Sequence, residues 1–239
     1  MKQFSRRDLL RAAAMAPAAV VAPLQFFGPG AGAARADERS YENPHAGYLT
    51  RDEIAFVDAA VARIIPKDEL GPGALEAGVT TFIDRQLAGP YGRAETWYMQ
   101  GPWREGIEQQ GYQLKLTPAQ LYRAAIRAID AKVKAQHGGK TFAQLDPAAQ
   151  DAVLDAIDKD QLQITGAPVR AFFEMLVRNT VEGFLADPIY GGNRDFIGWK
   201  LIGFPGPRYN YVAEIEQYGK KYDMPFVSIG GVDSGVRKA

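Results

Sequence analysis

The sequence contains few residues that bind metals or carry redox chemistry. Its 239 residues include no cysteine and only two histidines. Without cysteine the chain has no thiol catalysis, disulfide, cysteine-ligated iron–sulfur cluster or covalent c-type haem. His45 lies in a Pro-His-Ala-Gly turn and His137 precedes a Gly-Gly pair, and both contexts are typical of surface or helix-capping positions. We therefore predict that this chain holds no cofactor and no metal ion, and that it catalyses no reaction alone.

Two carboxylates remain as candidates for acid–base chemistry. Glu182 and Asp187 flank an aromatic loop, and a glycosidase needs only two carboxylates beside its sugar. Asp187 also precedes Pro188, and such a pair commonly ends a helix. A carboxylate-dependent hydrolase is therefore a less favoured interpretation. No Gly-x-Gly-x-x-Gly motif follows a predicted strand, so a dinucleotide site is not indicated.

The loop at residues 187–207 concentrates aromatic rings, glycine and proline. Its Gly-Gly-Asn run favours positive φ and a tight reversal, and Phe196, Trp199 and Gly203 share one face of a short helix. Rigid aromatic side chains bury a large area at small entropic cost, which favours binding. We predict that this loop contacts a partner protein, or supports a surface that does. The candidate residues are Tyr190, Gly191, Gly192, Asn193, Trp199, Phe204 and Pro205.

The alternative is that the loop packs only on its own domain. The partner surface would then lie elsewhere, and the next aromatic candidates are Trp97, Trp103 and Tyr112.

Helical patterns and start signals surround this loop. Thr50 and Glu53 form a predicted capping box, and Thr117 and Asp146 each precede a proline at the first helical position. The predicted helices span about residues 51–65, 77–88, 118–136, 147–159 and 168–185. Apolar residues cover more than half of the last helix, which predicts that it is the central one. The fold class is therefore mainly α: a single domain of five or six helices with long, ordered aromatic and Gly/Pro-rich loops.

The N-terminus is typical of an export signal. Arg6-Arg7 precede a weakly apolar stretch, and Ala34 and Ala36 form a small-x-small cleavage site. The uncharged run at 12–24 is shorter than the ~20 residues of a membrane span. We predict a twin-arginine signal at 1–36, an arm at 37–49, a helical domain at 50–211 and a tail at 212–239. The predicted mature chain has 23 basic and 27 acidic residues, which argues against nucleic-acid binding.

A series of residues resembles one family. The series is Phe172-Phe173, Thr180, Glu182-Gly183, Asp187-Pro188, Tyr190-Gly191-Gly192-Asn193, Trp199-Lys200 and Gly203-Phe204-Pro205-Gly206. It resembles the small (gamma) chain of the gluconate 2-dehydrogenase subunit 3 family, over roughly residues 50–211. The resemblance does not extend to the tail.

The resemblance implies partners that hold the redox groups. It implies a large FAD-containing subunit that oxidises a sugar or sugar acid, and a multihaem cytochrome c subunit that takes the electrons at the membrane. The small chain would be a non-catalytic escort that supports maturation and export of the flavoprotein into the periplasm. A stand-alone periplasmic interaction or sugar-binding module is the alternative.

Overall fold

The computed structural model describes residues 47–232, apart from positions 105, 163, 221 and 223. The predicted signal residues Arg6, Arg7, Ala34 and Ala36 lie outside the described residues, as does most of the predicted arm. The boundaries predicted for signal, arm, domain and tail therefore stay predictions.

The described chain is mainly helical, as predicted. Its α-helices are α1 (Arg51–Ile64), α2 (Val79–Ala88), α3 (Pro118–Gln136), α4 (Pro147–Asp158), α5 (Val169–Leu185) and α6 (Ile197–Ile202). Short 3-10 turns lie at Glu108–Gln110, Phe142–Gln144, Pro188–Tyr190, Arg194–Phe196 and Val212–Glu214. Near the C-terminus, β1 (Val227–Ser228) pairs antiparallel with β2 (Gly231–Val232), with Val227 opposite Val232.

Helices α1, α3 and α4 begin where the capping signals predict. The Thr50 hydroxyl accepts from the Glu53 amide at 3.3 Å, and the Glu53 carboxylate accepts from the Thr50 amide at 2.8 Å. Thr117 and Gln120 form the same reciprocal pair. Asp146 accepts from the Ala149 amide at 3.0 Å. Each cap satisfies backbone donors that have no partner inside the helix.

Helix α5 is the central helix, because it contacts α1, α2, α3, α4 and α6. Its Phe172 is fully buried, with its ring edge-on to Tyr122 at 5.0 Å. The predicted apolar face was too broad, however, and three of its members are only half-buried. These are Phe173, Val177 and Val181.

In their place α5 buries Asn179 and Thr180. The Asn179 amide donates to the Tyr122 hydroxyl at 2.9 Å and accepts from the Tyr91 hydroxyl at 3.1 Å. A buried amide with both groups paired costs little. Burial raises the pKa of Tyr122 well above its usual range, so its hydroxyl stays protonated.

The predicted irregular segment between α2 and α3 is held by its aromatic rings. Trp97 packs against Tyr91 at 5.8 Å and against Tyr112 at 5.0 Å. Burial raises the pKa of Tyr112 to about 12. Trp97, Trp103 and Tyr112 are half-buried, so these reserve candidates for a partner surface pack partly within the segment itself.

Candidate partner-binding site

The loop that follows α5 begins at a carboxylate with two structural partners. Asp187 is nearly buried, and its Oδ1 accepts from the Ile189 amide at 3.0 Å. Its Oδ2 accepts from the Ile229 amide, 42 residues further along, at 2.8 Å. Asp187 therefore ends α5, as predicted, and also ties the loop to the C-terminal hairpin.

The other carboxylate of the sequence-predicted pair has a different environment. Glu182 has an exposed side chain, but partial desolvation of its carboxyl raises its pKa while Arg178 acts in the opposite direction. Because backbone amides occupy both oxygens of Asp187, the Asp-Pro pair is explained without acid–base chemistry.

The Gly-Gly-Asn turn brings the loop into backbone contact with α5. Gly191 has φ 97°, a conformation that favours glycine. Gly192 lies so close to α5 that a Cβ there would stand 2.1 Å from the Gly183 carbonyl oxygen. Gly191 thus permits the positive φ of the turn, and Gly192 permits the close contact between the turn and α5.

Asn193 anchors the next part of the loop from inside. It is fully buried, has φ 46°, and donates from Nδ2 to the Ala186 carbonyl at 2.8 Å. Its Oδ1 accepts from the amides of Gly198 at 2.8 Å and Trp199 at 3.4 Å. These amides belong to the first turn of α6, whose N-cap residue Phe196 provides no side-chain cap. Asn193 therefore caps α6 from outside the usual position.

Trp199 points into the chain. Its side chain is only 4% exposed, and Nε1 donates to the Leu185 carbonyl at 2.7 Å. Its ring stacks on Phe196 at 5.5 Å and meets Phe204 edge-on at 5.0 Å. Gly198 permits this approach, since a Cβ there would stand 1.9 Å from the Phe184 carbonyl oxygen.

The predicted interface residues therefore divide into two groups. Tyr190 and Phe204 are 49% and 40% exposed, and their contact with a partner stays a prediction. Gly191 and Pro205 are half-buried. The last three candidates, namely Gly192, Asn193 and Trp199, are buried in the chain itself. That they support a partner surface stays a prediction as well.

The short helix also differs in detail from the prediction. Phe196 precedes α6 instead of lying within it, and both Asp195 and Phe196 have positive φ, at 54° and 57°. This backbone reversal turns the Phe196 ring back onto Trp199, so the two rings pack together although they do not share one helical face.

Comparison with protein-family models matches residues 51–206 to the family described as gluconate 2-dehydrogenase subunit 3. The chain belongs to this family. The match covers well over half of the chain and confirms the resemblance drawn from the motif residues. Comparisons with curated proteins and with solved structures found no match.

Much of the motif that resembles the subunit 3 family serves packing. Gly183 and Gly192 touch each other, and Trp199 hydrogen-bonds to the end of α5. The motif thus builds a rigid loop on the central helix, and a few of its side chains face outward.

The sequence reasoning missed how the C-terminus packs on this subunit 3 loop. The Phe226 ring stacks on Phe196 at 5.7 Å, and the Val227 amide donates to the Pro205 carbonyl at 3.1 Å. A Cβ on Gly206 would stand 1.8 Å from the Val227 carbonyl oxygen. No local pattern in the sequence indicates these contacts, because the residues that meet are far apart in the chain.

Other features of the described residues lie outside this loop. A groove of about 570 Å³ runs beside α3, where Tyr48, Arg123 and Arg127 line it among small side chains. Within residues 47–232, gaps aside, no group of three or more His, Asp or Glu side chains could hold a metal ion. None of the helices in this part of the chain is long and apolar enough to cross a bilayer.

Proposed function

We propose that this chain is the non-catalytic small subunit of a periplasmic FAD-dependent dehydrogenase complex that oxidises a sugar or sugar acid. The observation that carries the proposal is the family match over residues 51–206. The composition supports it, because a chain with no cysteine and two histidines has few ligands for redox groups. In this proposal a large partner subunit holds FAD, and a multihaem cytochrome c subunit holds haem c and keeps the complex at the membrane.

The proposed role of the chain is to escort the flavoprotein. The Arg6-Arg7 pair precedes a weakly apolar stretch, the pattern of a twin-arginine leader. That route carries folded proteins, so it suits a chain that binds its partner before export. The rigid loop on α5 supports this role, because it presents Tyr190 and Phe204 to solvent at fixed positions.

The export role is tested by the double variant Arg6→Lys/Arg7→Lys. Lysine keeps the charge but lacks the guanidinium fork, so the two residues are not interchangeable. We expect both this chain and the flavoprotein to remain in the cytoplasm. The matched control is Arg11→Lys, outside the pair, which should leave export intact. A flavoprotein that still reaches the periplasm in the double variant would contradict the escort role.

The non-catalytic role is tested on the purified chain. We expect no visible absorption after dialysis and no dye reduction with gluconate, glucose or sorbitol. After addition of the flavoprotein we expect both a flavin absorption spectrum and dye reduction. A flavin spectrum retained by this chain alone would show that the assignment of the cofactor to the partner is wrong.

A further inference from the structure

The C-terminal segment, defined as residues 207–229, exposes much apolar surface. In the described chain fourteen large apolar side chains are exposed, and ten of them lie between Tyr190 and Ile229. Single exposed apolar residues are normal, whereas their concentration in one part of a surface marks an interaction site. The most exposed rings are Tyr209 at 101% and Tyr218 at 88%.

The segment is held in place by the loop on which it packs. The Tyr211 hydroxyl donates to the Gly206 carbonyl at 3.1 Å, and Arg208 Nε donates to the Tyr222 hydroxyl at 3.2 Å. At its far end, the amides of Val227 and Ile229 reach Pro205 and Asp187. The backbone that carries the exposed rings is thus held at both ends before binding, which lowers the entropic cost of forming a complex.

The chemistry of the segment favours a protein partner. It carries three basic and three acidic side chains, namely Arg208, Lys220, Lys221, Glu214, Glu216 and Asp223. Segments that bind membrane surfaces are instead rich in lysine and arginine. Tyrosine combines a large apolar ring with a hydroxyl and is enriched at the centres of protein interfaces.

The exposed apolar area is comparable to one side of a protein interface. Two almost fully exposed tyrosines, Tyr209 and Tyr218, offer on the order of 300–400 Å² when buried. Val212, Ile215 and Met224 are each more than half exposed and add to this area. One side of a standard protein interface buries roughly 800 Å², so the segment with Tyr190 and Phe204 approaches that value.

We propose that the C-terminal segment is the docking surface for the flavoprotein subunit, with Tyr209 and Tyr218 as anchors. The inference rests on the proposed function, which supplies the flavoprotein. The family match ends at residue 206, so the segment lies outside the pattern that the family shares. We therefore expect the segment to select the flavoprotein that belongs with this chain.

The test is binding of the co-expressed flavoprotein to the double variant Tyr209→Ser/Tyr218→Ser. Truncation of interface anchors predicts at least about 30-fold weaker affinity, with an unchanged melting temperature because both side chains are exposed. The matched control is Tyr98→Ser, since Tyr98 is 81% exposed on the segment between α2 and α3; its affinity should change less than about threefold. Ile215→Glu, which introduces a charge at a 63% exposed position, should weaken binding as well.

The outcomes separate the two proposals. A wild-type chain that does not bind the flavoprotein at all refutes the proposed function. A wild-type chain that binds, with both variants binding equally well, overturns the docking surface alone. A third outcome is a double variant that still binds the flavoprotein but no longer self-associates, or no longer floats with phosphatidylglycerol vesicles, where the wild-type chain does. The segment would then bind a second copy of this chain or a lipid surface, and the inference would be wrong.

Discussion

Replacement of Asn193 by alanine tests whether one buried amide holds the loop. The change removes the donor to the Ala186 carbonyl and the acceptor for the Gly198 and Trp199 amides. Each buried backbone group left without a partner costs roughly 1–3 kcal/mol. Alanine at φ 46° adds roughly 1 kcal/mol of backbone strain. Together these terms predict a loss of about 3–7 kcal/mol in the free energy of unfolding, because at least two groups lose their partners.

Urea unfolding followed by far-ultraviolet circular dichroism measures this loss. For a slope of about 2–3 kcal/mol/M, the midpoint should fall by about 1–3.5 M. Asn193→Gly relieves the strain without restoring the hydrogen bonds, so it should recover no more than about 1 kcal/mol. The matched control is Asn210→Ala: Asn210 is exposed and accepts one hydrogen bond, from the exposed Val212 amide at 3.2 Å, so its loss should cost no more than about 1 kcal/mol.

The reasoning is refuted if Asn193→Ala costs no more than Asn210→Ala. It is also refuted if Asn193→Gly restores the wild-type midpoint, because backbone conformation alone would then explain the asparagine. Either result would show that the Asn193 hydrogen bonds are not what keeps this loop in its conformation.

Three further predictions concern packing and charge. Trp199→Ala should lower the free energy of unfolding by about 3–5 kcal/mol because the ring is buried. Phe204→Ser should cost about 1–2 kcal/mol, because that ring is 40% exposed and packs on Trp199 with the rest of its surface. Similar melting temperatures for the two variants would contradict the buried placement of Trp199. Gly192→Ala should destabilise by about 1–3 kcal/mol through its clash with Gly183, and Gly230→Ala, which meets only a side-chain oxygen at 3.4 Å, should be nearly neutral by the same melting assay. Although burial acts to raise the pKa of Glu53, the hydrogen bonds from Arg123 and Thr50 outweigh this effect, and the pKa is lowered in the folded chain. The carboxylate should therefore stabilise the fold above pH 4.5, the usual pKa value, and this stabilisation should be lost as the pH falls below it. Glu53→Gln keeps the capping box and should make the free energy of unfolding less dependent on pH below 4.5, as measured by urea unfolding at different pH values. The same pH dependence as in the wild type would exclude the Glu53–Arg123 pair as its cause.

The sequence determined the helices, because their signals are local. A capping side chain lies three residues from the amide whose hydrogen bond it accepts, and apolar residues three and four apart share one face of a helix. Helices α1, α3 and α4 could therefore be placed to within a residue or so at their starts. The sequence also indicated membership of the gluconate 2-dehydrogenase subunit 3 family, since the motif is a run of residue types at set spacings.

The tertiary structure alone decided which of those motif residues face outward. From the sequence, Trp199 could be an interface ring or a core ring, because both environments select large aromatics. The choice depends on where α6 meets α5, and a six-residue helix reached through a backbone reversal at Asp195 and Phe196 carries no periodicity that predicts it.

The same limit applies to contacts between distant parts of the chain. Neither the hydrogen bond from Ile229 to Asp187 nor the stacking of Phe226 on Phe196 has a local signal, because the partners lie 42 and 30 positions apart in the chain. On α5, Val177 is half-buried, whereas Asn179 is buried and hydrogen-bonded to Tyr91 and Tyr122. Apolar spacing predicts which face of a helix turns inward, but the shape of the neighbours determines how far around the helix burial extends.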